Sequence, residues 1–335
     1  MTIIKPQSKQ PKISRYFILG LVIVLILVIV YLFTSINHKQ KAIGLHVGSQ
    51  KNSLKILLEA SGELKNLPYP IEFASFPSAG QTAQALSSHA VDIGVLGDAS
   101  LAFALAGHAP LKVISVVRTR VTPTAVAIVV NKNSPLQNPE DLIGKRITTT
   151  KGSVGHYLAL AVLDQLGHSG HDAEFIFLQP GEARTLLANG GADAWSTWDP
   201  YTSMAELEGN VRVIASGEKL FAGNIMLTAN QQAIDTKRAQ LSDFTQRVTH
   251  AYQWVNQHQE EFAKLQAKAT GLPIQVHYLS NRHGQPHVIP IDQGVIDDMQ
   301  TSINLYVKEG LLPQSIVSKT IFDPSFNHTQ SEQSQ

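Results

Sequence analysis

Three short segments bring glycine, hydroxyl and aromatic residues together where a strand turns into a helix. The first is Lys151-Gly152-Ser153-Val154-Gly155-His156-Tyr157. Gly152 lets a ligand approach the backbone, and Ser153 can cap the helix that follows. The first N–H groups of such a helix carry partial positive charge and hold anions. His156, one turn in, could donate to an oxyanion, although an ordinary capped helix would show the same residues. The second segment is Gly97-Asp98-Ala99-Ser100. Asp98 would repel an anion as a direct ligand, so its better role is N-cap, leaving the other N–H groups to face a cleft. The third is Trp195-Ser196-Thr197-Trp198-Asp199-Pro200-Tyr201. Asp199 at the N-cap and Pro200 at the first helical position mark a helix start. Trp198 and Tyr201 beside it could wall a cleft and cover an apolar ligand tail; Trp195 reads as core. Arg118 and Arg120, after a strand ending at Val117, could add positive charge or simply be solvated.

The elements that must position these turns follow from hydrophobic patterning. Strands are predicted at 43–48, 71–76, 91–96, 112–117, 125–130, 146–150 and 174–178. Helices are predicted at 54–63, 81–88, 100–106, 154–166 and 182–189, and after about residue 233 at 241–257, 260–270 and 291–309. Alternation of this kind predicts an α/β fold with mostly parallel sheets, in which ligands bind outside the carboxyl ends of strands. Three helix starts, each after a strand, then form one constellation. A short echo suggests two halves of related build: Val91-Asp92 precedes Asp98-Ala99 as Ala192-Asp193 precedes Asp199-Pro200.

Composition narrows the function. Lys+Arg 27 against Asp+Glu 26 in 335 residues gives no nucleic-acid footprint. The absence of cysteine excludes disulfides, thiolate metal sites, cysteine nucleophiles and a lipidated N-terminal Cys. The 13 histidines lack metal-site spacing. His168 and His171 lie in a Gly/Ser loop with Asp172 as the one carboxylate, and His283 and His287 flank a Gly-Gln-Pro turn. No metal or cofactor is expected. Phe17 to Phe33 is apolar throughout apart from Gly20, and Lys5, Lys9, Lys12 and Arg15 precede it. At about 1.5 Å per residue this run nearly spans a hydrocarbon core of about 30 Å. The basic flank predicts a cytoplasmic N-terminus and an exported remainder. The run exceeds the usual signal-peptide core of about 7–15 residues and lacks a small-x-small cleavage site, which favours an uncleaved anchor over a cleaved signal.

On these residues the sequence resembles the aliphatic sulfonate-binding proteins, within the nitrate/taurine/sulfonate group of ABC-transporter substrate-binding proteins. The likeness runs from about Ile43 to Pro313. It rests on Gly48-Ser49-Gln50-Lys51, Gly94-Val95-Leu96-Gly97-Asp98-Ala99, Asn133-Ser134-Pro135 with Asp141-Leu142-Ile143-Gly144-Lys145-Arg146, and Lys151-Gly152-Ser153 with His156-Tyr157-Leu158. Asp193-Ala194-Trp195 with Trp198-Asp199-Pro200-Tyr201 is its most specific piece. The resemblance implies a two-lobed periplasmic-binding-protein (Venus-flytrap, type II) fold. Residues 42–123 plus 226–325 would form lobe I and 124–225 lobe II, with crossovers near 121–125 and 221–227. Residues 1–41 would be cytoplasmic tip, transmembrane anchor or signal, and tether; 326–335 would be a disordered tail. Gln50, Gly97, Asp98, Ala99, Gly152, Ser153, His156, Trp198, Asp199 and Tyr201 would line the cleft, with Arg118 nearby. The implied function is a monomeric periplasmic protein that takes up an alkanesulfonate by lobe closure and delivers it to an ABC permease and its ATPase subunits. It would be tethered to the inner membrane by residues 16–34. Taurine or nitrate binding, or ligand sensing from the membrane, are the alternatives. Ser49 departs from the family, where an aromatic is common, and so does the retained anchor. Pyrimidine-forming enzymes of the same broad fold use a cysteine-rich motif that this chain lacks, so no enzyme activity is expected.

Overall fold

The computed structural model describes residues 43–120, 122–314 and 316–327. The expected anchor and tether lie outside the described residues, as does 328–335. Among the described residues no helix is long and apolar enough to cross a membrane.

Along the chain, β1 (Leu45–Gln50) leads into α1 (Ser53–Ser61), β2 (Ile71–Phe76) into α2 (Ala79–Ser87), and β3 (Ile93–Gly97) into α3 (Asp98–Ala106), followed by β4 (Leu111–Arg118). β5 (Val126–Asn131) opens a second set. In it β6 (Arg146–Thr149) leads into α4 (Val154–Gln165), β7 (Glu174–Phe177) into α5 (Pro180–Ala188), and β8 (Ala194–Trp198) into α6 (Tyr201–Glu208), before β9 (Val211–Ser216). After β10 (Asn224–Asn230) come α7 (Gln231–Thr236), α8 (Arg238–Gln257), α9 (Gln259–Thr270) and α10 (Ile274–Gly284). The short β11 (His287–Ile289) and α11 (Gln293–Lys308) complete the set.

Two sheets result, ordered β11-β4-β10-β3-β1-β2 and β7-β6-β8-β5-β9. Each has a parallel trio, β2-β1-β3 or β7-β6-β8. Beside each trio an antiparallel strand has crossed from the other sheet: β10 between β3 and β4, β5 between β8 and β9. The sheets are therefore mixed, not mostly parallel, because each is completed by a returning strand. The chain crosses between Arg118 and Val126 and again between Ser216 and Asn224. The second crossing ends earlier than expected, since Asn224–Leu227 is already β10.

The sequence echo has a structural counterpart. Asp92 Oδ2 accepts from the backbone N of His46 on β1 (2.7 Å), and Asp193 Oδ2 accepts from the backbone N of Arg146 on β6 (2.9 Å). Each carboxylate ties the start of its central strand to the neighbouring parallel strand. Lys237 (2.7 Å) neutralises the first and the Arg146 guanidinium (2.8 Å) the second.

Helices cover both faces of the first sheet. α1 and α8 bring Leu54, Leu58, Phe244 and Val248 to one face, and α11 brings Met299, Ile303 and Tyr306 to the other. α4 is buried from Gly155 to Leu163 because both cores claim it. Leu158 and Val162 join the second sheet's core, whereas Tyr157 and Leu160 join that of the first. A helix apolar on all sides needs such a setting. Phe326, expected in a disordered tail, is only 4% exposed, and the Arg238 guanidinium sits 4.2 Å above its ring.

Candidate ligand-binding cleft

A cavity of about 1550 Å³ opens at the carboxyl ends of the parallel strands of both sheets. Six strand-to-helix turns reach it: Gln50, Lys51 and Ser53 before and at the start of α1, Ser78–Gly80 at α2, Gly97–Ser100 at α3, Thr150–Val154 at α4, Leu178–Pro180 at α5, and Trp198–Tyr201 at α6. Chains wound this way place helix starts, and their unpaired N–H groups, around one opening.

The starts of α1, α3, α4 and α6 differ. Asn52, in the left-handed region at φ 59°, makes no side-chain cap to α1, but Ser49 Oγ accepts from Leu54 N in its first turn at 3.3 Å. Gly97 has no side chain to cap α3, and a Cβ there would meet nothing within 4 Å, so this N-terminus is bare toward the cleft. Asp98 is the first helical residue of α3 and not its N-cap, so its carboxylate turns aside to α11, where Ser302 Oγ donates to Oδ2 at 2.9 Å. Asp98 Oδ1 is buried without a hydrogen-bond partner among the described residues. Burial pushes the carboxyl up to about 6, against the Ser302 hydrogen bond, which pulls it down.

At α4 the expected cap is present: Ser153 Oγ accepts from His156 N at 3.2 Å. His156 itself does not line the cavity. Its ring packs edge-on to Phe175 (5.3 Å) and Phe177 (5.0 Å), and its Nδ1 accepts from Gly152 N at 3.3 Å. Burial, helped by the Lys151 charge, lowers it to about 4, so at neutral pH it is an uncharged acceptor that shapes the turn. Gly152 is left-handed at φ 67° and thus spends its N–H on His156, leaving Val154 and Gly155 as the N–H groups without an intrahelical acceptor. Gly155 presses on β8: a Cβ there would lie 2.6 Å from Ser196 O, and Ser196 Oγ donates to Gly155 O at 2.6 Å.

The cap of α6 is Pro200, one residue later than expected, yet Asp199 still serves the helix start. Its Oδ1 accepts from Ser203 N (3.0 Å), Thr202 Oγ1 (2.7 Å) and the Ser203 hydroxyl. Asp199 Oδ2 lies 2.7 Å from His283 Nδ1 on α10, and His283 Nε2 lies 3.1 Å from Thr124 Oγ1. Trp198 and Tyr201 meet edge to face at 5.8 Å and both line the cavity; Trp195 is core.

Gln50, Gly97, Asp98, Ala99, Gly152, Ser153, Trp198, Asp199 and Tyr201 thus share one cavity, whereas His156 and Arg118 do not reach it. Arg118 is committed to Asn224 Oδ1 (3.0 Å) and Asp298 Oδ2 (2.5 Å). Arg120 lines the cavity instead. The sequence reading also missed Lys51, whose Nζ donates to Tyr201 OH at 2.8 Å, and Lys151, 5.7 Å above the Phe177 ring. Both sit inside the turn motifs and neither pairs with a carboxylate among the described residues, so position in the turn was the available signal. Among the described residues no cluster of three or more His, Asp or Glu is placed to hold a metal.

Comparison with known proteins gives a consistent picture. The family profile described as NMT1/THI5 like matches residues 71–262. A curated protein of Escherichia coli (strain K12), named for aliphatic sulfonates-binding, is 32% identical over 287 residues, 84% of this chain and 89% of that protein. The crystal structure of the periplasmic aliphatic sulphonate binding protein SsuA from Escherichia coli superposes with a TM-score of 0.76 at 30% identity, over 83% of this chain and 96% of that one. The alkanesulfonate-binding protein SsuA from Xanthomonas axonopodis pv. citri, bound to MOPS, gives 0.77 at 29% identity, over 84% and 98%.

Proposed function

Since the chain belongs to the NMT1/THI5-like family, we propose that it is the extracytoplasmic substrate-binding component of an ABC importer and that its ligand is an aliphatic sulfonate. The observation that carries this reading is that the starts of α1, α3 and α4 open on one cavity, that of α3 without any side-chain cap. A sulfonate spreads a permanent charge over three oxygens and needs donors and dipoles, not a proton acceptor. Lys51, Arg120 and Lys151 add cationic charge to the walls, and Trp198 and Tyr201 offer apolar cover to the tail. Nothing in this set asks for a nucleophile or a general base.

The two sheets would act as two lobes hinged at the crossovers, 119–125 and 217–223, closing on the ligand and presenting it to a permease. Closure can be driven only by contacts better in the closed state than in the open one. The apolar run within residues 16–34 would hold the protein at the membrane from which the permease takes its cargo. Taurine is the second reading, favoured by Asp98 Oδ1, a buried acceptor that an ammonium group would satisfy.

Calorimetric titration with ethanesulfonate, taurine, nitrate and sulfate tests the proposal. Saturable one-to-one binding of ethanesulfonate is expected, weakened about tenfold, or roughly 1.4 kcal/mol, in Trp198→Ala. A chain that binds none of the sulfonates would not be a sulfonate receptor.

A further inference from the structure

Asp199 borders the cavity, and a carboxylate on the wall of a cleft for anions opposes the ligand unless its charge is engaged elsewhere. Its Oδ1 is taken by α6, through Ser203 N, Thr202 Oγ1 and the Ser203 hydroxyl. What takes Oδ2 comes from the far end of the sequence: His283 Nδ1, in the last turn of α10, lies 2.7 Å away. An ionised carboxylate only accepts, so Nδ1 carries the proton and donates. Nε2 of the same ring lies 3.1 Å from Thr124 Oγ1 in the first crossover. Arg120 N, on that crossover too, donates to Gly284 O at 2.5 Å. The imidazole is therefore fixed at both nitrogens, on a helix end that the crossover itself holds. Its side chain and that of Asp199 are only 12% and 14% exposed, so water weakens the contact little. Asp199 lines the cavity and His283 does not, which places the imidazole behind the carboxylate as seen from the ligand.

We propose that His283 is a positioning residue that sets ligand choice: by occupying Asp199 Oδ2 it lets the cleft take a sulfonate without an ammonium group, and it withholds that carboxylate from an aminosulfonate. This rests on the sulfonate reading above. Selectivity is a difference between two affinities, and this one contact moves them in opposite directions. With the imidazole in place, Oδ2 is already engaged and the charge is drawn toward α6 and α10. Without it, Oδ2 becomes an unpaired anionic acceptor on the cavity wall. Such a group repels a simple alkanesulfonate and attracts the ammonium of taurine.

The test is calorimetric titration of the full chain with ethanesulfonate and with taurine. It compares the parent with His283→Ala, His283→Leu, His283→Asn and the double variant His283→Ala/Asp199→Asn. The asparagine amide can donate from the place of Nδ1 but does not extend to Thr124. The ratio of the two affinities is expected to move toward taurine by roughly tenfold in the alanine and leucine variants. It should stay at the parent value in the asparagine variant, and the taurine gain should vanish in the double variant, which has no carboxylate to release. Thermal unfolding verifies that each variant is folded, and leucine, which keeps the bulk of the ring, covers the case in which alanine does not fold. An unchanged ratio in a folded alanine or leucine variant would overturn the proposal and leave the sulfonate reading standing. A shift that asparagine shares, or that survives in the double variant, would also overturn it, since the effect would then come from packing. Failure of the parent to bind either ligand would remove the sulfonate reading, and this proposal with it.

Discussion

At the scale of single residues, Asp98 carries the most consequential chemistry. It opens α3, its carboxyl turns aside to Ser302 on α11, and that carboxyl titrates near 6 because it is buried. In the unfolded chain an aspartate titrates at 3.8. Between those values the folded state holds more protons. Its contribution to stability is therefore full below about 4 and is lost as pH rises through about 6. Binding follows the same sign. An anion prefers the neutral form, so affinity for ethanesulfonate should tighten by up to roughly tenfold as pH falls from about 7 to about 5. Asp98→Asn should abolish that dependence while retaining binding. Taurine, if its ammonium used Asp98, would show the opposite trend, and calorimetry at the two pH values separates the cases. The histidines show why residue roles were only partly legible. His156 lies in the turn motif, which pointed to the ligand, but Phe175 and Phe177 enclose it. His283 touches Asp199 across 84 residues of sequence, and no local pattern announces such a contact.

At the scale of elements, the α4 start depends on how closely it sits against β8. Gly155→Ala would put a Cβ 2.6 Å from Ser196 O and 2.9 Å from Thr149 Oγ1, and the backbone there cannot give way. The helix must shift, at a cost of about 1–3 kcal/mol. A lower urea midpoint together with weaker sulfonate binding is expected, because Ser153 and the N–H groups of Val154 and Gly155 move with the helix. Unchanged binding in a destabilised variant would detach this turn from the site. Most elements were legible in the sequence, since β2 and the helices from α1 to α5 follow apolar periods bounded by turn residues. β9, β10, β11, α7 and α10 were not. Of β10, the first four residues, Asn-Ile-Met-Leu, fall within the expected crossover of 221–227. What makes it a central strand is partners far away in sequence, β3 and β4. Asp98 and Asp199 were both expected as N-caps. In each case the cap proved to be an adjacent residue, a slip within the ordinary uncertainty of helix ends.

At the scale of the whole molecule, the β8–α6 turn of the second sheet is gripped from two directions. Lys51, beside the first sheet, donates to Tyr201, and His283 on α10 meets Asp199. Tyr201→Phe keeps the ring and removes one grip. In solution scattering the ligand-free variant should have a larger radius of gyration than the parent, and saturating sulfonate should bring the two together. Equal radii in the ligand-free state would mean that this hydrogen bond does not hold the halves closed. The returning strand has a different consequence, for how the chain is made. β4, Leu-Lys-Val-Ile-Ser-Val-Val-Arg, borders β10 and β11, and both are synthesised after the entire second sheet. Arg118 and its partner Asn224 are 106 residues apart, which at about 5–20 residues per second is roughly 5–20 s of synthesis. Throughout that interval an apolar, β-branched strand has neither edge paired, the condition under which strands associate with the wrong chain. The first sheet to be started is the last to be finished. A nascent chain stalled before residue 224 should therefore need a holding chaperone that the completed protein does not.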